Sequence, residues 1–436
     1  MINNRFHHRP LFSLAIPMIL SNISTPLLGL VDTAVMGHLD SEQYLASVAL
    51  GSLIFGFVFW GFGFLRMGTT GLTAQALGKN KRPEMNAVLI RAFILALLIS
   101  TILLLMQTWI AQCSFWLISS SPQVEQFARD YFDIRIWSTP ATLSLYVLMG
   151  WFLGQQKVKI PLLVMLVSNL SNIALDLLFV YHFKMQVEGV ALASLIAEYI
   201  GLTVALVIAF FILRKKKHIW PWHDIFCLNK FKSMLIINSH IFLRTWCLIF
   251  SFAFFTAQGA KLGDVILAAN AVLLNFQSFM AYALDGFAHA AEALVGKAFG
   301  AKNQIAYKQA VLTAALWSAV VAIVFSLIYW FFGKYIVNGL TGLANVRQMA
   351  YLYLPWLVAM PLVSFICYLF DGVFIGAMLT RQMRNTMMFS LFGVFLPVWY
   401  FTQALGNQGL WLALTAFMFA RGFSMTFVFS RQGFAL

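Results

Sequence analysis

Charge is what this chain has least of. Of its 436 residues only 10% are Asp, Glu, Lys or Arg, while 61% are hydrophobic; soluble domains run near ~25% charged. Length alone suggests roughly three soluble domains. The composition excludes them, because no soluble core hides so much apolar surface, whereas a bilayer does. Acidic residues are the scarcer sign, 15 against 29 Lys and Arg, for a net charge of +14. In a soluble protein that excess points to nucleic acid. In this chain the basic residues stand between apolar runs, so they report membrane orientation, and no nucleic-acid partner is expected. The four cysteines, Cys113, Cys227, Cys247 and Cys367, lie far apart without CxxC spacing, which leaves no disulfide or zinc framework. A phosphate-binding GxxxxGK[ST] loop is absent, so ATP is not the expected driver. HExxH and GxSxG are absent too, and the chain is not expected to be an enzyme.

What is present is a series of long apolar runs. A helix needs about 20 apolar residues to cross the hydrocarbon. The hydropathy pattern predicts twelve spans, over 11–36, 45–77, 87–110, 125–153, 159–181, 188–213, 233–259, 266–298, 308–332, 347–376, 385–402 and 409–430. The first run follows Arg5 and Arg9 but is too long for the core of a signal peptide and ends without a cleavage motif, so it reads as a membrane helix. The basic stretch from Arg214 to Lys232 lies at the midpoint and reads as a linker between lobes 1–216 and 217–436. Nineteen basic residues fall on one side of these spans, among them Arg5, Lys79, Lys157, the run 214–217, Lys302 and Arg381. Four fall on the other: Lys184, Lys261, Lys334 and Arg347. The positive-inside rule then places both termini in the cytoplasm of a multi-pass protein of the bacterial inner membrane.

The halves repeat. Ala76-Leu77-Gly78 returns as Ala298-Phe299-Gly300, and Gly150-Trp151-Phe152-Leu153-Gly154 as Gly372-Val373-Phe374-Ile375-Gly376, both 222 residues on. Leu45-Ala46 and Ala49 return as Leu267-Ala268 and Ala271 at the same offset, and Gly189-Val190-Ala191 as Gly409-Leu410-Trp411 at 220. One match in an apolar chain means little; four at nearly one offset argue for duplication. Six spans per half is an even number, so both halves insert the same way up, as in transporters that alternate access by rocking two lobes.

Ionisable and amide side chains inside a bilayer are costly, and each is a functional candidate. Asp32 lies near the outer end of the first span. Asn169, Asn172 and Asp176 share one face of the fifth, and Ser194 lies near the same end of the sixth. Two carboxylates, an amide and a hydroxyl are the hard oxygen ligands suited to a proton or a small cation; hydrogen bonding between helices is the plainer role for them. A second stripe, Tyr282, Asp285, His289 and Glu292, runs along the eighth span, with Arg244 and Asp371 as partners in a buried ion-pair network. Glu198, Arg66 and Arg421 read as isolated charges, paired or snorkelling. Pro26 and Gly29 mark a weak point, and an expected hinge, in the first helix.

These residues resemble a known family. The segment from Pro26 to Leu39, PLLGLVDTAVMGHL, is similar to the first helix of MATE (multidrug and toxic compound extrusion) transporters, and more narrowly to their DinF branch in proteobacteria. Thr70-Gly71-Leu72-Thr73-Ala74-Gln75-Ala76, Ser171-Asn172-Ile173-Ala174-Leu175-Asp176, Tyr282-Ala283-Leu284-Asp285-Gly286-Phe287 and Asp371-Gly372-Val373-Phe374-Ile375-Gly376 extend the likeness along nearly the whole chain. The resemblance implies an all-α fold of twelve transmembrane helices in two six-helix lobes arranged as a V. It implies export of bulky, often cationic drugs in exchange for H+ or Na+. It also implies a coupling site at Asp32, Asn172, Asp176 and Ser194, where Na+ binds transiently in Na+-driven members. At position 194 the family pattern has threonine, and serine keeps only the hydroxyl. One turn before the aspartate some relatives carry tyrosine, and this chain has Leu28.

The expected function is therefore a proton-coupled multidrug antiporter, a monomer whose partners are small-molecule drugs and membrane lipids and whose only cofactor is the coupling ion. Na+ coupling on the same fold is the nearest rival. A flippase for lipid-linked precursors and a passive channel are the others; an acidic cavity argues against the first and the two-lobe repeat against the second.

Overall fold

The computed structural model describes residues 8–36, 42–118, 121–214 and 222–432, without the side chains of residues 25–36, 42, 223 and 432. Among the described residues every regular element is helical. Among the described residues ten helices are long and apolar enough to cross a membrane: α2 (Gln43–Gly78), α3 (Arg82–Leu105), α4 (Pro122–Gly154), α5 (Lys159–His182), α6 (Val187–Arg214), α7 (Leu228–Lys261), α8 (Asp264–Gly300), α9 (Gln304–Leu340), α10 (Ala344–Gly376) and α12 (Asn407–Arg431). The first helix, α1 (His8–Met36), and the interrupted α11 (residues 380–401) complete the twelve.

Two expected spans differ from the helices found. The third was expected at 87–110, but α3 begins at Arg82, because Pro83 fits a first helical turn where its missing N–H is no loss. It stops at Leu105, and a separate helix, Gln107–Leu117, follows. The eleventh was expected as one run over 385–402. Instead α11 starts at Thr380 and passes through a π-helical segment, Phe389–Phe395, before Pro397. Proline offers no N–H to the turn before it, and a widened turn accommodates the loss. A second π segment, Leu177–His182, closes α5 immediately after Asp176. Helix α4 is broken in the same spirit by a 3-10 turn, Ile136–Ser138, just ahead of Pro140.

The described residues form two compact units. One holds residues 20–76 and 81–234, the other residues 8–19, 77–80 and 235–432. In the first, Ile54, Phe55 and Phe59 of α2 pack with Ala128 and Phe132 of α4 and Val190 of α6. In the second, Leu273 and Met280 of α8 pack with Leu357 and Met360 of α10 and Trp411 and Phe417 of α12. Lipid is as apolar as these side chains, so close packing rather than escape from water holds such helices together.

The duplication reaches the backbone. Asn80 and Lys302, 222 residues apart, both close their helices with a left-handed φ, of 55° and 53°. In each turn the same two bonds form, Asn80 N–H to Leu77 O with Lys81 N–H to Ala76 O, and Lys302 N–H to Phe299 O with Asn303 N–H to Ala298 O, all at 3.0 Å. This is a Schellman closure. Gln156 (φ 62°) and Met378 (φ 58°) form a second such pair, again 222 apart. Between α2 and α4 a Cβ on Gly154 would stand 2.7 Å from Thr70 O; between α8 and α10 a Cβ on Gly376 would stand 2.6 Å from Glu292 O. Only glycine lets the backbones approach this closely.

Candidate functional site

The site on α5 and α6 begins with small residues. Gly189, Ala193, Ala197, Gly201, Ala205 and Ala209 recur every fourth position along α6 and are all buried. Such a stripe lets a neighbouring helix lie close. Ser168 of α5 uses it, donating its hydroxyl to Ala197 O at 3.1 Å. The close approach brings three predicted residues together. Asn172 and Asp176 lie one turn apart on α5, and Ser194 faces them from α6; their exposures are 2%, 0% and 7%. With its oxygen turned toward the donors, the Asn172 amide accepts from Ser194 N–H at 3.1 Å and Ser194 Oγ at 3.2 Å, and donates to Asp176 Oδ2 at 3.2 Å. Asn169, the first member of the stripe in sequence order, is not part of this cluster: its amide donates to Ser24 O of α1 at 3.3 Å. Asp32, Pro26 and Gly29 lie on α1 where side chains are outside the described residues.

Chemically, the cluster offers a carboxylate, a carboxamide oxygen and a hydroxyl, a set of hard oxygens matched to a proton or an alkali cation. No Lys or Arg occurs in α5 between Lys159 and Lys184, nor in α6 before Arg214. No group of three or more His, Cys, Asp or Glu residues suited to a metal ion occurs among the described residues.

The other unit treats its buried acid differently. Asp371 of α10 accepts through Oδ2 from Arg244 of α7 and, at 2.9 Å, from Arg421 Nη2 of α12. The expected pair Arg244–Asp371 therefore forms, and Arg421, read as paired or snorkelling with no partner named, is its third member. Arg421 is 1% exposed and also touches Met418 Sδ at 3.2 Å and the Phe417 ring. Tyr282, Asp285, His289 and Glu292 lie along α8, with Glu292 buried and the others half-buried. Asp285 is within electrostatic range of Tyr282, Tyr368 and Arg421.

Sequence reasoning missed two further clusters. Glu198, read as paired or snorkelling with no partner named, pairs on α6 with Arg135 and Thr142 of α4. Asn270 and Asn407 exchange amide bonds of 2.8 and 2.9 Å, and Trp411 donates to Asn270 Oδ1 at 2.9 Å. The only signal for either was a polar residue within an apolar run.

The MatE family profile matches residues 17–178 and 241–401, most of both halves. The chain belongs to the MatE family. It is 41% identical, over 97% of its length and 92% of the relative's, to DNA damage-inducible protein F of Escherichia coli K12. It is 27% identical, over 73% of its length, to human multidrug and toxin extrusion protein 1, of which it covers 56%. A Vibrio cholerae MATE transporter, VcmN, crystallised in a bent form, superposes with a TM-score of 0.85 at 21% identity, over 97% of this chain and 96% of that one. A transporter of the MOP superfamily from Pyrococcus furiosus superposes at 0.86 with 18% identity, over 98% of this chain and 95% of that one. The protein is thus a multi-pass membrane transporter of a multidrug-efflux family, a homologue of DinF, with the twelve-helix MatE fold. The family is one of transporters rather than enzymes.

Proposed function

We propose that this transporter exports bulky, often cationic compounds across the bacterial inner membrane in exchange for protons, and that Asp32, Asn172, Asp176 and Ser194 carry the coupling. The observation that supports it most is the buried Asn172–Asp176–Ser194 cluster, in which one amide bonds both the Asp176 carboxylate and the Ser194 hydroxyl. The packing of α1 on α5 supports a place for Asp32. Ser21 bonds Met165, and Ser24 O accepts from Asn169. Position 32 lies eleven residues beyond Ser21, as Asp176 lies eleven beyond Met165. Eleven residues are three turns of helix, so both positions return to the face they started from. The name of the human relative speaks for drugs as cargo. Na+ is the second reading, favoured by the preformed amide and hydroxyl oxygens, which a bare proton does not need. Pro26 and Gly29 are the proposed hinge that bends α1 when Asp32 changes its charge.

The deciding experiment uses purified protein in liposomes, with dye efflux driven by a pH gradient or by a Na+ gradient at equal pH. Efflux under the first alone supports proton antiport. Efflux under the second alone installs Na+, and movement of a lipid-linked precursor without either gradient replaces the reading with a flippase. For orientation, the basic asymmetry puts both termini and the midpoint linker in the cytoplasm. A cysteine at Lys215 should resist an impermeant reagent in intact cells, and its labelling there would reverse the topology.

A further inference from the structure

Glu198 stands one turn after Ser194 on α6, so the two side chains stack on one side of the helix. Ser194 reaches the cation cluster, and Glu198 reaches α4. One Glu198 oxygen accepts from Arg135 Nη2 and the other from the Thr142 hydroxyl. Arg135 Nη1 donates in turn to Ser138 Oγ at 2.7 Å, and Thr142 also donates to Ser138 O at 3.1 Å. Arg135 and Ser138 bracket the 3-10 interruption of α4. Tyr131 and Tyr146 of α4 and Arg66 of α2 complete the polar surroundings. Arg135 and Glu198 retain only 14% and 16% of their side-chain exposure. Replacing a buried ion pair by well-packed apolar residues is often neutral or stabilising, so stability alone is a weak reason for keeping this one. What the pair does supply is geometry. It ties the rotation of α6 to the broken turn of α4, one helical turn from the serine that must face Asn172.

We propose that Glu198 is the positioning residue of the cation site, holding α6, through Arg135 and Thr142, in the rotation that presents Ser194 to Asn172 and Asp176. This rests on the reading of Asn172, Asp176 and Ser194 as the cation site. Partners that orient ligands are typically worth ten- to hundred-fold in ion affinity. Glu198→Gln should therefore weaken the ion dependence of transport by about tenfold, leaving the maximal rate at saturating ion near wild type. Thr142→Val removes the hydroxyl that Glu198 and Ser138 O share, without stranding a charge, so it folds more safely, and it should shift the same midpoint by about threefold.

The test measures the midpoint of dye efflux against pH, and against Na+ at constant pH, in proteoliposomes. Ser194→Ala is run beside the other two, and the melting temperature of each variant is recorded. A shifted midpoint in all three, with the rate at saturating ion kept in Glu198→Gln and Thr142→Val, supports the proposal. A shift for Ser194→Ala with wild-type midpoints for both other variants overturns it. A lowered melting temperature with an unmoved midpoint makes the pair a structural tie and overturns it equally. If Ser194→Ala itself shifts nothing, the cation-site reading fails first. Should Glu198→Gln not fold, Thr142→Val decides.

Discussion

The two units bury acid in opposite company. Asp371 sits between the guanidiniums of Arg244 and Arg421, so its charge is answered by fixed cations of the protein. Asp176 sits against the Asn172 amide with Ser194 beyond it, on helices whose interiors hold no Lys or Arg. A buried charge answered by fixed cations from two helices ties those helices together; a carboxylate bonded to an amide, with a hydroxyl close by, offers hard oxygens to a proton or cation. On the proposed function, the duplicated fold puts one buried acid to anchorage and the other to exchange.

The sharpest way to break that comparison is to neutralise the acids one at a time. Asp32→Asn and Asp176→Asn should each abolish gradient-driven efflux while leaving expression and melting temperature intact. A single proton crossing ~100 mV supplies ~2.3 kcal/mol, enough for roughly a fifty-fold drug gradient, so its loss is measurable in everted vesicles. Wild-type efflux by either variant ends the assignment. Asp371→Asn should do the reverse and show itself mainly in stability. It strands two guanidiniums, and breaking a buried pair costs about 3–5 kcal/mol, read as a large drop in the melting temperature of detergent-purified protein. Replacing Arg244, Asp371 and Arg421 together by Met, Leu and Met should recover much of that drop. If the triple variant melts no higher than Asp371→Asn, anchorage is not what the cluster does.

Two smaller effects sharpen the comparison by asking how alike the halves are. Gly154→Ala and Gly376→Ala press a methyl group against equivalent carbonyls. Overpacking of this kind costs about 1–3 kcal/mol, and the two values should agree closely in thermal unfolding; a large disparity would show that the matched backbones are not matched in load. The smallest effect separates the repeated turns. Asn303 caps α9 by accepting from Ala306 N–H at 2.9 Å, while Lys81, 222 residues earlier, makes no side-chain cap to α3. Asn303→Ala should cost about 1 kcal/mol, and Lys81→Ala should leave the melting temperature unchanged.

Much of this was legible in the residue order. The twelve spans follow from apolar runs, and the 222-residue offset of short motifs returned as matched turns and matched glycine contacts. The Asn172–Asp176 pairing was legible because one helical period places both on one face of α5. Pairings between helices were harder. Arg421 lies 50 residues from Asp371, and Arg135 lies 63 from Glu198; periodicity along one helix contains no term for which neighbour it meets. The Asn270–Asn407–Trp411 cluster spans 137 residues and more for the same reason. The π segments had no periodic signature either, since each adds one residue to a turn whose apolar pattern is otherwise unchanged.

The π segment that follows Asp176 has a further meaning in terms of torsion. An α-helix advances about 100° per residue. A π turn holds one residue more than an α turn, and converting one to the other changes that count without breaking the chain. For α5 such a conversion over Leu177–His182 would swing the residues beyond it by about 100° relative to Asp176, with no lateral displacement of the helix body. At the end of α5 such a change of register would turn the chain entering the loop before α6 like a key while the acid stays where it is.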